Sequence, residues 1–547
     1  MLPLSRRKGP KGWPFSPCSR FEPIPRQAIS KTPFLTGSFT LTQSPFGRDQ
    51  ILDLGLAWLN LGKLEAVLIS ALAFTVTLTA PQNPIAQTAF AKALENVLSI
   101  NRIQYDPKHF DKSGLLDGKL GKFLRAGGDY QEPWTRDASI NSWNAASLLE
   151  PQIAKNTLYA VLDKNEKGEP IVQPDNQWWD KVIWIYGAWN HYLVTGDREF
   201  LKVSYGVATR LLALMRKDHF DSEFGLFKGP SFFNDGIAGY PAPPAPAEDT
   251  GSTFVLDHPN TDRIMALSTN CLYVAGYRTA AKMAAELGEP KGEEEKLAAE
   301  LTQTIRKRFW MPKDGRFGYF IHGAAPLRGQ LDASQEGTGL SYAILFDIAT
   351  PAQARSILSR THREPLGIVD VYPHFERYSD AHPGRHNVLV WPVVQGLWAR
   401  AAAHQRDLKV FNEELTHLTQ LAQGSQWNFY EIYDGKSGKV EGGWQSGIHF
   451  GSVPHQTWSA SAYLSMVLNG VFGLRFSTTG LTFQPLVPAE WSGAKLTGIA
   501  YRNATLDIQI KGQGSHLASL TLDGVPSITG KIAPSLRGKH TVELVVE

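Results

Sequence analysis

The sequence predicts a mainly α-helical protein, a closed toroid of helical hairpins followed by a small C-terminal antiparallel β-domain. Three observations point there. Segments with apolar residues at three- and four-residue spacing recur from about residue 100 to residue 474. No comparably long alternating strand pattern interrupts them. After Leu474 the pattern changes to short stretches such as "LTFQPLV", "TLDIQIKG", "ASLTLDG" and "HTVELVVE", separated by Gly, Pro and Asn. A chain of 547 residues is long enough for one or two domains with a large core.

Residues 1–62 are basic and Pro-rich without periodicity, and read as an unstructured extension. In "KLEAVLISALAFTVTLTAPQNPIAQTAFAKA", Lys63 precedes an apolar run of signal-peptide length, followed by small residues suited to cleavage. Residues 63–90 are therefore expected to be a signal peptide, with the mature chain periplasmic or secreted; a buried helix is the bland alternative. The run is too short, and too soon followed by Pro and polar residues, for a membrane span. Because a signal peptide begins near the start of a chain, translation is expected to begin at a non-Met codon near Leu59 or Leu61.

Residues 91–474 form the expected helical domain. "NTLYAVLDKN", "REFLKVSYGVATRLLALMRKDHF", "NCLYVAGYRTAAKMAAELG", "GEEEKLAAELTQTIRKRFW", "GLSYAILFDI", "VVQGLWARAAAHQ" and "SASAYLSMVLNGVFGL" carry the helical spacing. "LLALMRKDHFDSEFGLFKG" and "LTQTIRKRFWMPKDGRFGYFIHG" share a helix end, an aromatic, an acidic turn and a Gly before an apolar pair. Such repeated hairpins suggest a toroid or a solenoid. The loops between them are long, aromatic and acid-bearing, as hairpin ends that build a pocket would be, which favours the toroid. Residues 475–547 form the β-sandwich-like domain, with a packing role.

The formal net charge is +3 and part of the basic excess lies in the N-terminal stretch, so no nucleic-acid partner is expected. Two cysteines make neither a disulfide framework nor a metal-ligand spacing. The 15 Trp, 17 Tyr and 27 Phe often stand beside polar residues in loops, as in carbohydrate sites, where an indole face matches the apolar face of a sugar ring.

Four helical-region stretches set charged or amide side chains among aromatics: "YQEPWTRDASINSW", "QPDNQWWDKVIW", "KGPSFFNDGIAGYP" and "NFYEIYDGKSGKVEGGW". Singly they are ordinary, since Asp137 or Asp175 can cap a helix and Asp235 can serve a turn before Gly236. Together, Trp-x-Arg-Asp, Asn-Asp-Gly, and Glu-x-Tyr-Asp ahead of a Gly-rich segment and "TWSASAYLSMVLNGVFG" resemble the six-hairpin, (α/α)6-toroid glycosidases. The nearest are glycoside hydrolase family 63, with its processing α-glucosidases and mannosylglycerate hydrolases, and the family 37 trehalases. The resemblance spans roughly residues 117–474 and implies Glu431 as general base and Asp235 as general acid. It implies a substrate-binding set of Trp134, Arg136, Asp137, Asn176, Gln177, Trp178, Asn270, Trp391, Trp444 and Trp458. Two departures stand out: Gly236-Ile237-Ala238 replace the Arg that usually follows the acid, and Glu336 stands where a shorter Gly-Leu segment is usual.

Glycosidic cleavage needs a proton donor to the leaving oxygen and a base or nucleophile at the anomeric carbon. Asp235, beside Phe232 and Phe233, is expected in an apolar setting that keeps it protonated. Glu431 is expected in a polar, solvent-reached loop where it stays ionised and activates water. A separation of about 6.5–9.5 Å between the two would make the reaction inverting. The expected enzyme is an inverting, exo-acting glycoside hydrolase on an α-linked glucoside or related α-glycoside. The alternatives are a glycoside phosphorylase or an α-L-rhamnosidase-like enzyme on the same toroid, and a non-catalytic carbohydrate-binding toroid. His374, His382, His386, His449 and His455 read as polar or sugar-contacting residues; no metal and no cofactor are expected, with a loop calcium site left open.

Overall fold

Whether a helix shows a periodic apolar stripe depends on whether it has a solvent side, and this chain contains both kinds. The computed structural model describes residues 76–116, 118–241, 251–290 and 292–547. Among them lie α1 (Pro84–Glu95), α2 (Thr135–Asn141), α3 (Pro151–Ala160), α4 (Ile183–Thr195), α5 (Arg198–His219), α6 (Leu267–Leu287), α7 (Glu294–Phe309), α8 (Gly337–Leu345), α9 (Pro351–Arg360), α10 (Pro392–His404), α11 (Leu408–Gly424) and α12 (Thr457–Ser465). Every residue of α2 and α12 is buried, as is nearly every one of α4, α8 and α10. The odd-numbered helices are amphipathic; α5 buries Phe200, Leu201, Ser204, Val207, Ala208, Leu211, Leu212 and Met215 and exposes the residues between.

The fully buried helices pack on one another in sequence order, α2 on α4, α4 on α6, α6 on α8, α8 on α10 and α10 on α12, and α12 returns onto α2. The amphipathic helices lie against them: α5 on α4 and α6, α7 on α6, α11 on α10, and α1 on α12. A closed ring of helices surrounded by a second set results.

Helices α5, α7 and α9 each end in a tight hairpin. Phe220–Asp221 pairs with Leu226–Phe227 after α5, and Trp310–Met311 with Arg316–Phe317 after α7. These are the two repeats legible in the sequence, and each turn uses a glycine, Gly225 or Gly315, at φ 67, a conformation that disfavours a side chain. Arg363–Glu364 with Gly367–Ile368 after α9 is a third.

The C-terminal part contains β2 (Leu474–Ser477), β3 (Gly480–Phe483), β4 (Lys495–Tyr501), β5 (Asn503–Gly512), β6 (Leu517–Leu522), β7 (Val525–Pro526), β8 (Lys531–Ile532) and β9 (Arg537–Val546). One sheet runs β2-β3-β8; the other runs β1-β4-β5-β9-β6-β7, with β1 (Thr77–Thr79) supplied from the far end of the chain. The pairing is antiparallel with one exception to the expected pattern: β5 and β9 run parallel over ten residues, Asn503↔Arg537 to Gly512↔Val546.

The boundary expected at residue 90 is corrected. β1 pairs Thr77 with Thr497, Leu78 with Leu496 and Thr79 with Lys495, and α1 buries Ala86, Ala89, Phe90, Ala93 and Leu94. Residues 76–90 are therefore part of the folded body. The Pro and polar residues that follow the apolar run act as a helix start: Asn83 accepts from the Ala86 N–H at 3.0 Å and Pro84 opens the helix. The other expectations for this region, residues 1–62, the apolar run up to residue 75 and the start near Leu59 or Leu61, lie outside the described residues. No described helix is long and apolar enough to cross a membrane.

A chain shortened to begin at Ala91 is expected to be insoluble or unfolded by near-UV circular dichroism, whereas one beginning at Val76 keeps its fold. Phe90→Ala is expected to cost about 3–5 kcal/mol in urea unfolding, as for a large side chain removed from a packed core.

Candidate active site

The inner helices present their N-terminal ends to one place. Arg136 and Asp137 lie in the first turn of α2, Ser268 in that of α6, Thr338 in that of α8 and Trp458 in that of α12, while Trp391 immediately precedes α10. Asp235 stands on the loop before the third inner helix, α6, and Glu431 on the loop before the sixth, α12. In a closed ring of six, those loops face each other across the opening.

Two consecutive residues stand beside the two carboxylates. Arg385 Nη2 donates to Glu431 Oε2 at 2.5 Å, and the neighbouring His386 Nε2 lies 3.7 Å from Asp235 Oδ1. The loop presenting them is constrained: Asn387 accepts from the Phe375 N–H at 2.9 Å and donates to the carbonyls of Val371 and Pro373, and Val388 takes φ 65. A β-branched residue there stores about 1–3 kcal/mol of strain, which persists only where surroundings impose it. Trp391 lies behind, stacked on His386 at 5.0 Å and under the Arg385 guanidinium at 5.4 Å, its Nε1 donating to the Arg385 carbonyl at 3.0 Å.

Glu431 also accepts from the Tyr130 hydroxyl at 3.4 Å and is only 4% exposed. Its charge, and then burial, push the Tyr130 phenol well above its ordinary range. On the other side Arg136 spans three partners, donating to Asp180 at 2.6 Å, to Asp235 at 3.0 Å and to Gln177. Burial opposes the Arg136 charge, but Asp235, Asp180 and Asp137 outweigh it and raise its pKa. Asp137 is buried, and burial, partly offset by Arg136 and reinforced by Glu431, lifts its carboxyl to about 7. Its Oδ1 has no hydrogen-bond partner, nor does Arg136 Nε. Buried polar atoms are rarely left so. His386 is pushed down to about 3, first by burial, and is a neutral imidazole.

Beneath this layer Asn234 fixes the residue next to the acid. Its amide donates to Asp370 at 2.9 Å, to the Tyr319 hydroxyl at 3.0 Å and to Ser231 Oγ at 3.2 Å, and its Oδ1 faces His386 Nδ1 at 3.1 Å. Glu336, fully buried, accepts from Ser231 Oγ at 2.5 Å and from the Ser268 N–H at 3.0 Å. Burial and then Asp370 raise the Glu336 carboxyl to about 8. The extra acid in the sequence is thus part of the floor that positions Asn234 and His386.

Several expectations change. The settings of the two acids are exchanged: Asp235 is part-exposed, its side chain 32% accessible, and meets a guanidinium and an imidazole rather than an apolar wall, whereas Glu431 is the buried one. The Arg missing after Asp235 is replaced in space by Arg136. Asn270 is not a ligand group, because its amide is consumed by the Phe227 N–H and the carbonyls of Phe227 and Ala266. Trp178 stacks on His219 at 4.5 Å and donates to the Lys228 carbonyl, and Asn176 is exposed. Trp391 and Trp458 are 3% and 4% exposed and form packing behind the site with Phe233. Trp444 stacks on His382 at 4.3 Å and Trp134, 40% exposed, stands at the start of α2. Sequence reasoning missed Arg385, Tyr130, Asp180 and Asn234; the signal for Arg385 and His386 was their place just ahead of "VLVWPVVQG". Among the described residues no group of three or more His, Cys, Asp or Glu is placed to hold a metal ion.

Residues 130–459 match the family model for the mannosylglycerate hydrolase MGH1-like glycoside hydrolase domain, and residues 474–529 that for the glycosyl hydrolase family 65 C-terminal domain. The chain is similar in structure to a family 63 mannosylglycerate hydrolase from Thermus thermophilus solved with glucose, at TM-score 0.50 and 13% identity over 69% of this chain and 99% of that one. It is also similar to a family 78 rhamnosidase of Bacillus sp. GL1, at TM-score 0.54 and 12% identity over 87% and 44%, and to a sialidase at TM-score 0.58 and 13% identity over 80% of this chain. A curated N,N'-diacetylchitobiose phosphorylase of Vibrio proteolyticus is 34% identical over 91 residues, 16% of this chain. The chain spans 11% of that phosphorylase and 39% of the sialidase.

Asp137 gives the site a stability signature. Between pH about 3.8, its ordinary value, and about 7, its folded value, the unfolded carboxyl is ionised while the folded one keeps its proton. The folded state then binds more protons, so this group makes stability fall as pH rises through that window. Asp137→Asn is expected to flatten the slope of unfolding free energy against pH by up to one proton there, measured by urea unfolding at stepped pH; Asp180, also raised to about 7 by burial first, leaves a residual slope of the same sign.

Proposed function

We propose, starting from the fact that the chain belongs to the mannosylglycerate hydrolase MGH1-like glycoside hydrolase family, that it is an inverting, exo-acting hydrolase of an α-linked glucoside or related α-glycoside. The closed ring α2, α4, α6, α8, α10, α12 with its outer helices is taken as an (α/α)6 toroid. The observation that carries the reading is the pair of carboxylates from facing loops beside the consecutive residues Arg385 and His386, Glu431 bonded to Arg385 and Asp235 bonded to Arg136 with His386 at 3.7 Å.

In this reading Asp235 gives a proton to the glycosidic oxygen as the bond from that oxygen to the anomeric carbon breaks. Its part-exposed side chain lets it recover a proton from solvent after each turnover. Glu431 takes a proton from a water that attacks the anomeric carbon from the opposite face, so configuration inverts. Arg385 and Tyr130 aim the base, and the buried floor around Asn234 keeps His386 against the acid. The unpartnered Asp137 Oδ1 accepts a hydroxyl of the terminal sugar, and Arg136 and Gln177 border the same subsite. The positive ends of the inner helices favour the carboxylate-rich opening. The apolar run after Lys63 supports export, with any cleavage ahead of the folded unit that begins at Phe74.

A second reading, a glycoside phosphorylase, has the local match to a phosphorylase in its favour. Against it, Glu431 sits on the guanidinium that a phosphate would need. Time-resolved proton NMR of the protein with maltose, isomaltose, kojibiose, nigerose, trehalose and mannosylglycerate is expected to show one sugar released with inverted configuration, without phosphate. Asp235→Asn and Glu431→Gln are each expected to lower kcat by about 10²–10⁴-fold, the range for a positioned general acid or base. Retained configuration, or turnover only with phosphate, would contradict this assignment.

A further inference from the structure

A second cavity lies at the other end of the ring. It has a volume of about 300 Å³ and is lined from α4, from the ends of α8 and α10, from the helical turns Ser142–Ala146 and Ser147–Leu149 that follow α2, from Lys282 of α6 and from strand β2. It contains none of the residues of the carboxylate site. Its size is at the lower end of the roughly 300–1,000 Å³ of small-molecule sites, enough for a molecule of about monosaccharide size.

The charge of its wall is one-sided. Arg400 and Arg475 both line it, with Lys282 at its rim. Neither arginine has an ion pair with any carboxylate among the described residues. The Arg400 guanidinium lies 4.0 Å over the Trp143 ring and donates to Asn144 Oδ1 at 3.2 Å and to Ser465 Oγ, all neutral groups. Arg475 Nη1 caps the Asn469 carbonyl at 2.5 Å and the Leu474 carbonyl at 3.0 Å. His404, also on the wall, is already engaged with Asp347 at 2.9 Å. Capping of helix carbonyls accounts for one nitrogen of Arg475 and for nothing at Arg400. Burial lowers Arg400 to about 9, with Arg475 adding to the effect, and lowers Arg475 to about 10, with Arg406 adding to it, so neither guanidinium is neutralised by an acid. Both guanidiniums are part-buried at the cavity wall, and a cation drawn partly out of water ordinarily has a counter-charge.

We propose that this cavity binds a small molecule bearing an oxyanion, a phosphate or a carboxylate, seated between Arg400 and Arg475 with Lys282 closing over it. The planar forks of two guanidiniums match the geometry of either group. Because the cavity joins the inner-helix ends to β2, occupancy ties the helical ring to the C-terminal sheets. The inference does not depend on the reaction assigned to the carboxylate site.

The test is isothermal titration of the purified chain with two probes, inorganic phosphate and D-glucuronate, at fixed ionic strength. One or both is expected to bind saturably at one site below about 10 mM, and at least tenfold more weakly in Arg475→Gln and in Lys282→Met, the latter an exposed residue whose replacement leaves the fold in place. Binding of phosphate alone assigns the site to phosphorylated ligands, and binding of glucuronate alone to carboxylates. Binding in Glu431→Gln is expected to equal that of the parent. No saturable binding of either probe, or binding lost in Glu431→Gln and kept in both Lys282→Met and Arg475→Gln, would overturn the proposal.

Discussion

Closure of the inner ring is the constraint on which the rest depends. Once α12 packs on α2, the six inner helices point their N-terminal ends at one opening and their C-terminal ends at the other. The loops that enter those helices must then converge. Residues separated by two hundred positions, such as Asp235 and Glu431, become neighbours of the consecutive pair Arg385 and His386. The positive helix ends suit an opening that gathers Asp137, Asp180, Asp235, Glu336, Asp370 and Glu431.

That many acids in one buried region would be costly if left alone. The sequence distributes the cost: Arg385 takes Glu431, Arg136 is shared by Asp180 and Asp235, and Glu336 and Asp370 are raised toward their neutral forms while hydroxyls, amides and backbone N–H groups bond them. Among the described residues, Asp137 Oδ1 and Arg136 Nε are buried atoms of this region left without a partner. The strained Val388 backbone is consistent with such a layer, since it is held by the Asn387 side chain and the packed Trp391 beneath.

The outer helices α3, α5 and α7 were read from their apolar stripes, whereas α9 and α11, which also have a solvent side, were not. "REFLKVSYGVATRLLALMRKDHF" marks α5 almost residue for residue, and the two repeated stretches correspond to real helix-to-hairpin units. The inner helices α6, α8, α10 and α12 were also read, but α4, "IWIYGAWNHYLVT", was not; ten of its thirteen residues are buried, so it carries little of a stripe. α1 was read as part of a leader because small apolar residues that pack a helix against α12 look the same as small residues before a cleavage site. The two carboxylates were found from motif order, but their surroundings were not. Nearest sequence neighbours placed Asp235 among phenylalanines, whereas Arg136, ninety-nine residues away, is what it touches. Asn270 failed similarly, since an amide at a helix start looks alike whether it meets a sugar or the backbone of Phe227.

The central claim is that Asp235 and Glu431 face one anomeric carbon across the N-terminal opening of the ring. The most direct test is a crystal structure of Glu431→Gln with the slow substrate bound. The account predicts the scissile bond between the two side chains, with Asp235 within hydrogen-bonding distance of the glycosidic oxygen, a water between residue 431 and the anomeric carbon, and carboxyl positions about 6.5–9.5 Å apart. A sugar bound elsewhere, or a separation near 5 Å with no room for that water, would contradict it.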